Sequence, residues 1–133
     1  MNVNAISWAL YVLFVAAALF FSADERVLAF DGPLGAVKAL VWATWLGFLA
    51  FSIHCSRRES LFRTVPKLAE YHWGRQIMLD LYLGLGLALL VVYLNEGGVA
   101  VLLWLVPTLL FANLAVLLYF AIHFEALVAK LLA

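Results

Sequence analysis

The stretch VAVLLWLVPTLLFANLAVLLYFAI, residues 99–122, contains no charged side chain and decides the fold of this chain. A helix needs about 20 predominantly apolar residues to cross a hydrocarbon layer of about 30 Å. The stretch satisfies both requirements, length and apolar composition. It therefore predicts that the chain is embedded in a membrane.

Three further apolar stretches precede it, separated only by charged or turn residues. With 68% hydrophobic residues and a mean hydropathy of +1.07, the composition is not that of a soluble protein. We expect an all-α membrane protein with four transmembrane helices in an antiparallel bundle. The predicted helices cover about 5–23, 34–54, 75–94 and 99–123, joined in a single domain 1–133 with an amphipathic cytoplasmic connection at 56–74.

Positive charge is concentrated in the connection between the second and third predicted helices. Its cations are Arg57, Arg58, Arg63, Lys67 and Arg75, whereas residues 95–98 carry none. By the positive-inside rule this connection is cytoplasmic, and with four crossings both termini would lie on the same side. We expect a multi-pass protein of a bacterial inner membrane.

Small residues recur at steps of three and four on three of the predicted helices. Because close helix approach in a membrane depends on small side chains and polar groups, we expect these faces to pack together. Each face ends at a polar side chain, and His54, Asp80 and His123 are predicted to meet near the cytoplasmic surface. The faces consist of Ala36, Ala39, Ala43, Gly47 and Ala50, of Asp80, Gly84 and Ala88, and of Thr108, Ala112, Ala115, Tyr119 and His123.

Asp80 is the leading candidate for binding a ligand or an ion, because an ionisable group inside a membrane helix marks a functional site. A purely structural alternative is pairing with Arg75 or capping of a neighbouring helix. Asn113 lies deep in the fourth predicted helix, where an unsatisfied amide is costly, so it requires an interhelical partner or a substrate. Tyr119 and Arg75 complete this set of candidates.

No cofactor is predicted, but two alternatives stay open. His54 and His123 could ligate a haem iron from opposite faces, as cofactor sites in helical bundles do. Together with Cys55, Asp80 and Glu125 they could instead hold a transition metal through nitrogen, oxygen and sulfur donors.

The sequence argues against several classes of function. It contains no G-x-S-x-G, no H-E-x-x-H and no phosphate-binding glycine loop, so we do not expect an enzyme. Eight Lys and Arg residues balance eight Asp and Glu residues, which argues against nucleic acid as a partner. We expect a non-enzymatic accessory subunit or interaction partner, in a homo-oligomer or a larger membrane complex. The alternatives are an oligomeric transporter or channel protomer that uses Asp80, and a module that binds lipid, quinone or haem.

The C-terminal half of the chain resembles the second hairpin of uncharacterised small multi-helix integral membrane proteins. The resemblance is carried by DLYLG at residues 80–84, by NEG at 95–97 and by Asn113 ahead of Tyr119. Those families have no assigned activity. The resemblance therefore implies only that certain residues form a recurring set, namely Asp80, Tyr82, Gly84, Glu96 and Asn113.

Overall fold

The computed structural model describes residues 3–22, 30 and 32–132, and the regular elements within these ranges are all helices. They are α1 (Val3–Phe21), α2 (Gly35–Arg58), α3 (Leu61–Leu68), α4 (His72–Glu96), α5 (Gly98–Phe111), α6 (Asn113–Ile122) and α7 (Phe124–Leu131). The predicted all-α fold is confirmed for the described residues.

Two helices, α2 and α4, are long and apolar enough to cross a membrane. They contain 24 and 25 residues, with mean hydropathies of 1.6 and 2.2 over their most apolar windows. A third span would require α6 and α7 together, which are bent by 74° with respect to each other. The remaining apolar helices, α1 and α5, are shorter within the described residues. The structure therefore supports two to three spans, and the four-span bundle is not confirmed.

The predicted fourth helix, 99–123, is instead a helical hairpin that folds back at Ala112. The rings of Trp104 and Tyr119 lie 4.9 Å apart, and the Asn95 amide donates a hydrogen bond of 2.8 Å to the Tyr119 hydroxyl. In one continuous helix, Tyr119 would lie about 32 Å from Gly98. Helix α5 therefore enters the bundle beside α4, and α6 returns to the end where α5 began.

The turn of the hairpin is supported by polar side chains from α1 and α2. The backbone of Ala112 has φ 50°, a region that side chains other than glycine rarely adopt. The carbonyl oxygen of Leu114 accepts hydrogen bonds from the Tyr11 hydroxyl and the Trp45 indole, each 3.2 Å long. Because exposed backbone polar groups are costly in a membrane, these donors stabilise the interruption.

Helix α6 forms the centre of the core. It packs chiefly on α2 and on α5, and α4 packs chiefly on α5. The rings of Tyr11, Trp45 and Trp104 surround it as part of the same apolar cluster. The side chains of α6 that are at most 1% exposed are Ala115, Leu118, Tyr119, Ala121 and Ile122.

The two ends of the described chain lie at opposite ends of the bundle. Near the start of α1, the Trp8 indole donates to the Ser56 hydroxyl at 2.8 Å, close to the end of α2. Near the end of α7, the Lys130 ammonium donates to the backbone carbonyl of Asn95, at the end of α4. The prediction that both termini lie on one side is therefore not supported, because the hairpin removes one crossing.

We call the end of the bundle that carries Arg57, Arg58 and α3 the basic end, and the end that carries Asn95, Glu96 and His123 the hairpin end. At the basic end the predicted amphipathic connection forms α3. Helix α4 then begins so close to α3 that a Cβ at Gly74 would lie 1.9 Å from the Leu68 carbonyl oxygen.

Candidate functional site

A partly buried polar cluster lies at the hairpin end. The Nδ1 atom of His123 lies 3.3 Å from the Glu96 carboxylate, and the side chain of His123 is only 5% exposed. One turn earlier, the Tyr119 hydroxyl accepts the hydrogen bond from Asn95. The two contacts connect the last turn of α4 with the last turn of α6. They fix the end of α6 against the end of α4, next to the start of α5; we call this region the base of the hairpin.

An ion pair between Lys38 and Glu125 adds α2 and α7 to the polar cluster. The Lys38 ammonium lies 3.4 Å from the Glu125 carboxylate, and the Lys38 side chain is completely buried while that of Glu125 is 44% exposed. Lys38 also lies 5.8 Å from the centre of the Phe30 ring. A buried ammonium is costly unless it is paired. We therefore regard these contacts as a constraint on how α2 packs against the hairpin.

His123 is positioned by the bend between α6 and α7. Its amide donates to the Tyr119 carbonyl at 2.9 Å, and its carbonyl accepts from the Leu127 amide at 2.9 Å, so it belongs to the end of one helix and the start of the next. Its ring lies 4.4 Å from that of Tyr119. The imidazole is therefore enclosed between the Tyr119 ring and the Glu96 carboxylate.

The predicted meeting of His54, Asp80 and His123 does not occur. His54 and Asp80 are exposed, and both lie towards the basic end. His123 lies at the hairpin end beside Glu96, because α6 reverses the direction that a continuous helix would have taken. Along α2, about 24 Å of helix separate His54 from Lys38, which lies in the polar cluster.

The described residues of one copy of the chain therefore do not bring the predicted haem or metal ligands together. His54 and His123, the predicted ligands of one haem iron, lie at opposite ends of the bundle. Cys55 is exposed in α2, and the described residues contain no group of three or more His, Cys, Asp or Glu side chains that could hold a metal.

The other predicted candidates occupy separate places. Tyr119 is buried in the polar cluster. Asn113 is exposed at the turn of the hairpin. Arg75 donates from Nε to the carbonyl of Ala69 at 2.5 Å, and thereby joins the start of α4 to the end of α3.

Lys38 and Asn95 were not among the predicted site residues. Glu125 was predicted only as a metal ligand, and Glu96 only as part of the set that the resemblance implies. Glu96 reads as a solvated turn residue in the sequence, and the hairpin alone brings His123 to it. Lys38 did give a signal, because it is the only charged residue in the apolar stretch 34–53. A charge in that position requires a partner of opposite sign.

A groove of about 410 Å³ lies at the basic end, next to the turn of the hairpin. Helices α1, α2, α3, α5 and α6 all contribute to its walls. The walls are mostly apolar and include Trp8, Phe51, Phe62 and Phe111. The groove and the polar cluster therefore lie at opposite ends of the same hairpin.

Comparisons with known proteins do not assign a family: no family model, no curated protein and no solved structure matches the chain at a significant level. The resemblance of the C-terminal half to other small membrane proteins stays a prediction. The function is therefore argued from the geometry alone.

Proposed function

We propose that this chain is a non-enzymatic subunit of a larger membrane complex, and that it binds a transmembrane helix of a partner protein against the outer face of α2. We place it as a multi-pass protein of a bacterial inner membrane, with the basic end in the cytoplasm. The observation that carries the proposal is the position of the small residues of α2 relative to the core.

The small residues of α2 point away from the core. An α-helix turns about 100° per residue, so the set falls within about 80° of one another, opposite Lys38 and Trp45. Lys38 and Trp45 are buried against the rest of the bundle. The outward residues, all exposed, are Ala36, Ala39, Ala43, Gly47 and Ala50.

A face of this kind suits contact with another helix. Lipid tails pack against large apolar side chains as well as against small ones, so lipid contact does not require alanine and glycine. Small side chains let two backbones approach closely, which is the main source of helix association in membranes. Among the described residues, internal packing leaves this face of α2 exposed, so a partner helix can occupy it.

Two polar side chains on the outside of the bundle also favour a partner. Asp80 and Asn113 are exposed, although each belongs to a stretch that is apolar around it. Among the described residues, neither forms a hydrogen bond or an ion pair. Polar groups that face lipid are costly, and a partner that supplies donors or cations would lower that cost.

The test is purification of the tagged full chain in a mild detergent, in wild-type form and with Gly47→Leu. Gly86→Leu on α4 is the matched control. A Cβ at either glycine would meet no atom within 4 Å, so both variants can accommodate the added side chain, but only Gly47 lies in the small-residue face. We expect a stoichiometric partner with the wild type and with Gly86→Leu, and its loss with Gly47→Leu. Equal recovery with both variants would contradict the assignment of this face.

An oligomeric transporter or channel is the second candidate, and the outward position of Asp80 bears on it. A pathway that uses this carboxylate would have to lie between copies of the chain. The corresponding result would be a homo-oligomer without a partner, and flux in proteoliposomes that Asp80→Asn abolishes. Unchanged flux in that variant would exclude Asp80 as the carrier.

A further inference from the structure

The groove at the basic end has the size and position of a site for a lipid chain. Its volume of about 410 Å³ lies within the range of small-molecule sites in proteins, about 300–1,000 Å³. One wall is the turn of the hairpin, with Phe111 and Leu114, and the opposite wall is α2. The groove thus reaches from the end of α2 towards the middle of the bundle.

The polar residues of the groove are grouped near the start of α1, on α2 and around the start of α3. They are Ser7, Ser52, Ser56, Glu59 and Thr64. Ser56 accepts the indole hydrogen bond of Trp8, and Thr64 donates to the Glu59 carboxylate at 3.4 Å. The far end of the groove is apolar and is lined by Phe48, Leu110, Phe111 and Leu114. A ligand that matches this division has an apolar tail and a polar head.

Charges of both signs lie at the open end of the groove. Glu59 is the only charged residue that lines it. On the helical projection of α2, Arg58 lies about 20° from Phe51 and about 60° from Cys55, at the edge of the groove-lining face, whereas Arg57 lies about 160° from Cys55. The open end of the groove thus carries the Glu59 carboxylate, with Arg58 at its edge. Guanidinium groups bind phosphate well, and carboxylates bind ammonium groups.

We infer that the groove binds one acyl chain of a zwitterionic phospholipid whose head group ends in a primary ammonium. Arg58 binds the phosphate and Glu59 binds the ammonium. An anionic phospholipid would gain the first contact and meet repulsion from Glu59. A head group with a quaternary ammonium would approach Glu59 without hydrogen bonds. The site does not depend on the proposed function: Gly47 does not line the groove, and Arg58, although about 20° from Gly47 in projection, lies about 16 Å further along α2.

The test measures lipid binding to the delipidated full chain in detergent by native mass spectrometry. The probes are phosphatidylethanolamine, phosphatidylglycerol and phosphatidylcholine with identical acyl chains. We expect phosphatidylethanolamine to bind about fivefold more tightly than either competitor, since one charge contact near a membrane surface changes affinity by about that factor. Equal or tighter binding of phosphatidylglycerol would overturn the proposal.

Variants separate the two head-group contacts. Glu59→Gln should remove the preference for phosphatidylethanolamine over phosphatidylcholine, and Arg58→Gln should weaken binding of all three lipids. Arg57→Gln is the matched control, because it removes the same charge from the same turn on the side away from the groove. A preference that survives Glu59→Gln, or equal effects of the two arginine variants, would overturn the assignment.

Occupation of the groove itself has its own readout. Cys55 is the only cysteine of the chain and lines the groove. Its reaction with a maleimide should slow when phosphatidylethanolamine is added to the wild type, and should slow much less with Glu59→Gln at the same lipid concentration. An unchanged reaction rate in the wild type would show that the lipid binds elsewhere.

Discussion

The Nδ1 atom of His123 lies 3.3 Å from Oε1 of Glu96, so the last turn of α6 meets the last residue of α4. This contact exists only because the chain reverses at Ala112. With the neighbouring contact of Asn95 with Tyr119, it closes the base of the hairpin. Substitutions of these residues should therefore change the stability of the hairpin more than they change the structure of the basic end.

Replacement of Tyr119 by phenylalanine should destabilise the protein by about 1 kcal/mol. The variant keeps the buried ring and removes the oxygen that accepts the Asn95 hydrogen bond, and a neutral hydrogen bond contributes about this much. Tyr93→Phe is the control, because Tyr93 is 55% exposed on the same helix as Asn95. The free energy of unfolding, measured by titration with a denaturing detergent, should fall for Tyr119→Phe alone.

Replacing Glu125 by a neutral residue should show how much the buried, unpaired Lys38 ammonium lowers the free energy of unfolding. Glu125→Gln is expected to reduce the free energy of unfolding by about 1–2 kcal/mol, between the values for an exposed and a buried ion pair. The double variant Lys38→Met/Glu125→Gln should recover most of the loss, because no charge then stays buried. A double variant that is less stable than Glu125→Gln would show that Lys38 stabilises the fold through its other contacts. Glu70→Gln, at an exposed position, serves as the control.

The sequence predicted α2 and α4 well because their apolar stretches end at charged or turn residues. Arg57 and Arg58 end the first of these, and Asn95 with Glu96 end the second. The hairpin could not be predicted in this way. Hydropathy does not depend on chain direction, so an apolar stretch that crosses and one that folds back have the same composition.

The local signals for the turn were also weak. Pro107 indicates an interruption, yet α5 continues through it to Phe111, and the turn is made by Ala112, a residue that ordinarily favours helix. The candidate site depended on this one turn. Asp80 and His54 lie towards the same end of the bundle, as predicted, whereas His123 lies at the other end beside Glu96.

Two glycines of α4 should respond in opposite ways to substitution by alanine. At Gly74 the new Cβ would lie 1.9 Å from the Leu68 carbonyl oxygen, so α3 and α4 would have to separate. We expect a loss of stability of more than about 2 kcal/mol, as for other overpacked sites. At Gly84 the Cβ would meet nothing within 4 Å, so alanine should stabilise the helix by up to about 1 kcal/mol. Similar effects at both positions would contradict the close approach of α3 to α4.

Replacement of Ala112 by glycine distinguishes the hairpin from a continuous helix by the sign of its effect. Inside a helix, alanine is more favourable than glycine by about 1 kcal/mol, so the substitution would destabilise a straight span. In the hairpin, Ala112 has φ 50° and ψ −125°. Such a conformation costs a non-glycine residue about 1–3 kcal/mol, which glycine largely avoids. We therefore expect Ala112→Gly to raise the free energy of unfolding.

The control for this sign is Ala115→Gly, one turn later in α6. Ala115 has helical neighbours on both sides and is completely buried, so glycine there should destabilise the protein through lost packing and lower helix propensity. Opposite signs at the two positions would place the turn at residue 112. Destabilisation by both substitutions would mean that residues 99–123 form one helix. His123 and Glu96 would then lie at opposite ends of the bundle, and the polar cluster around them would not form.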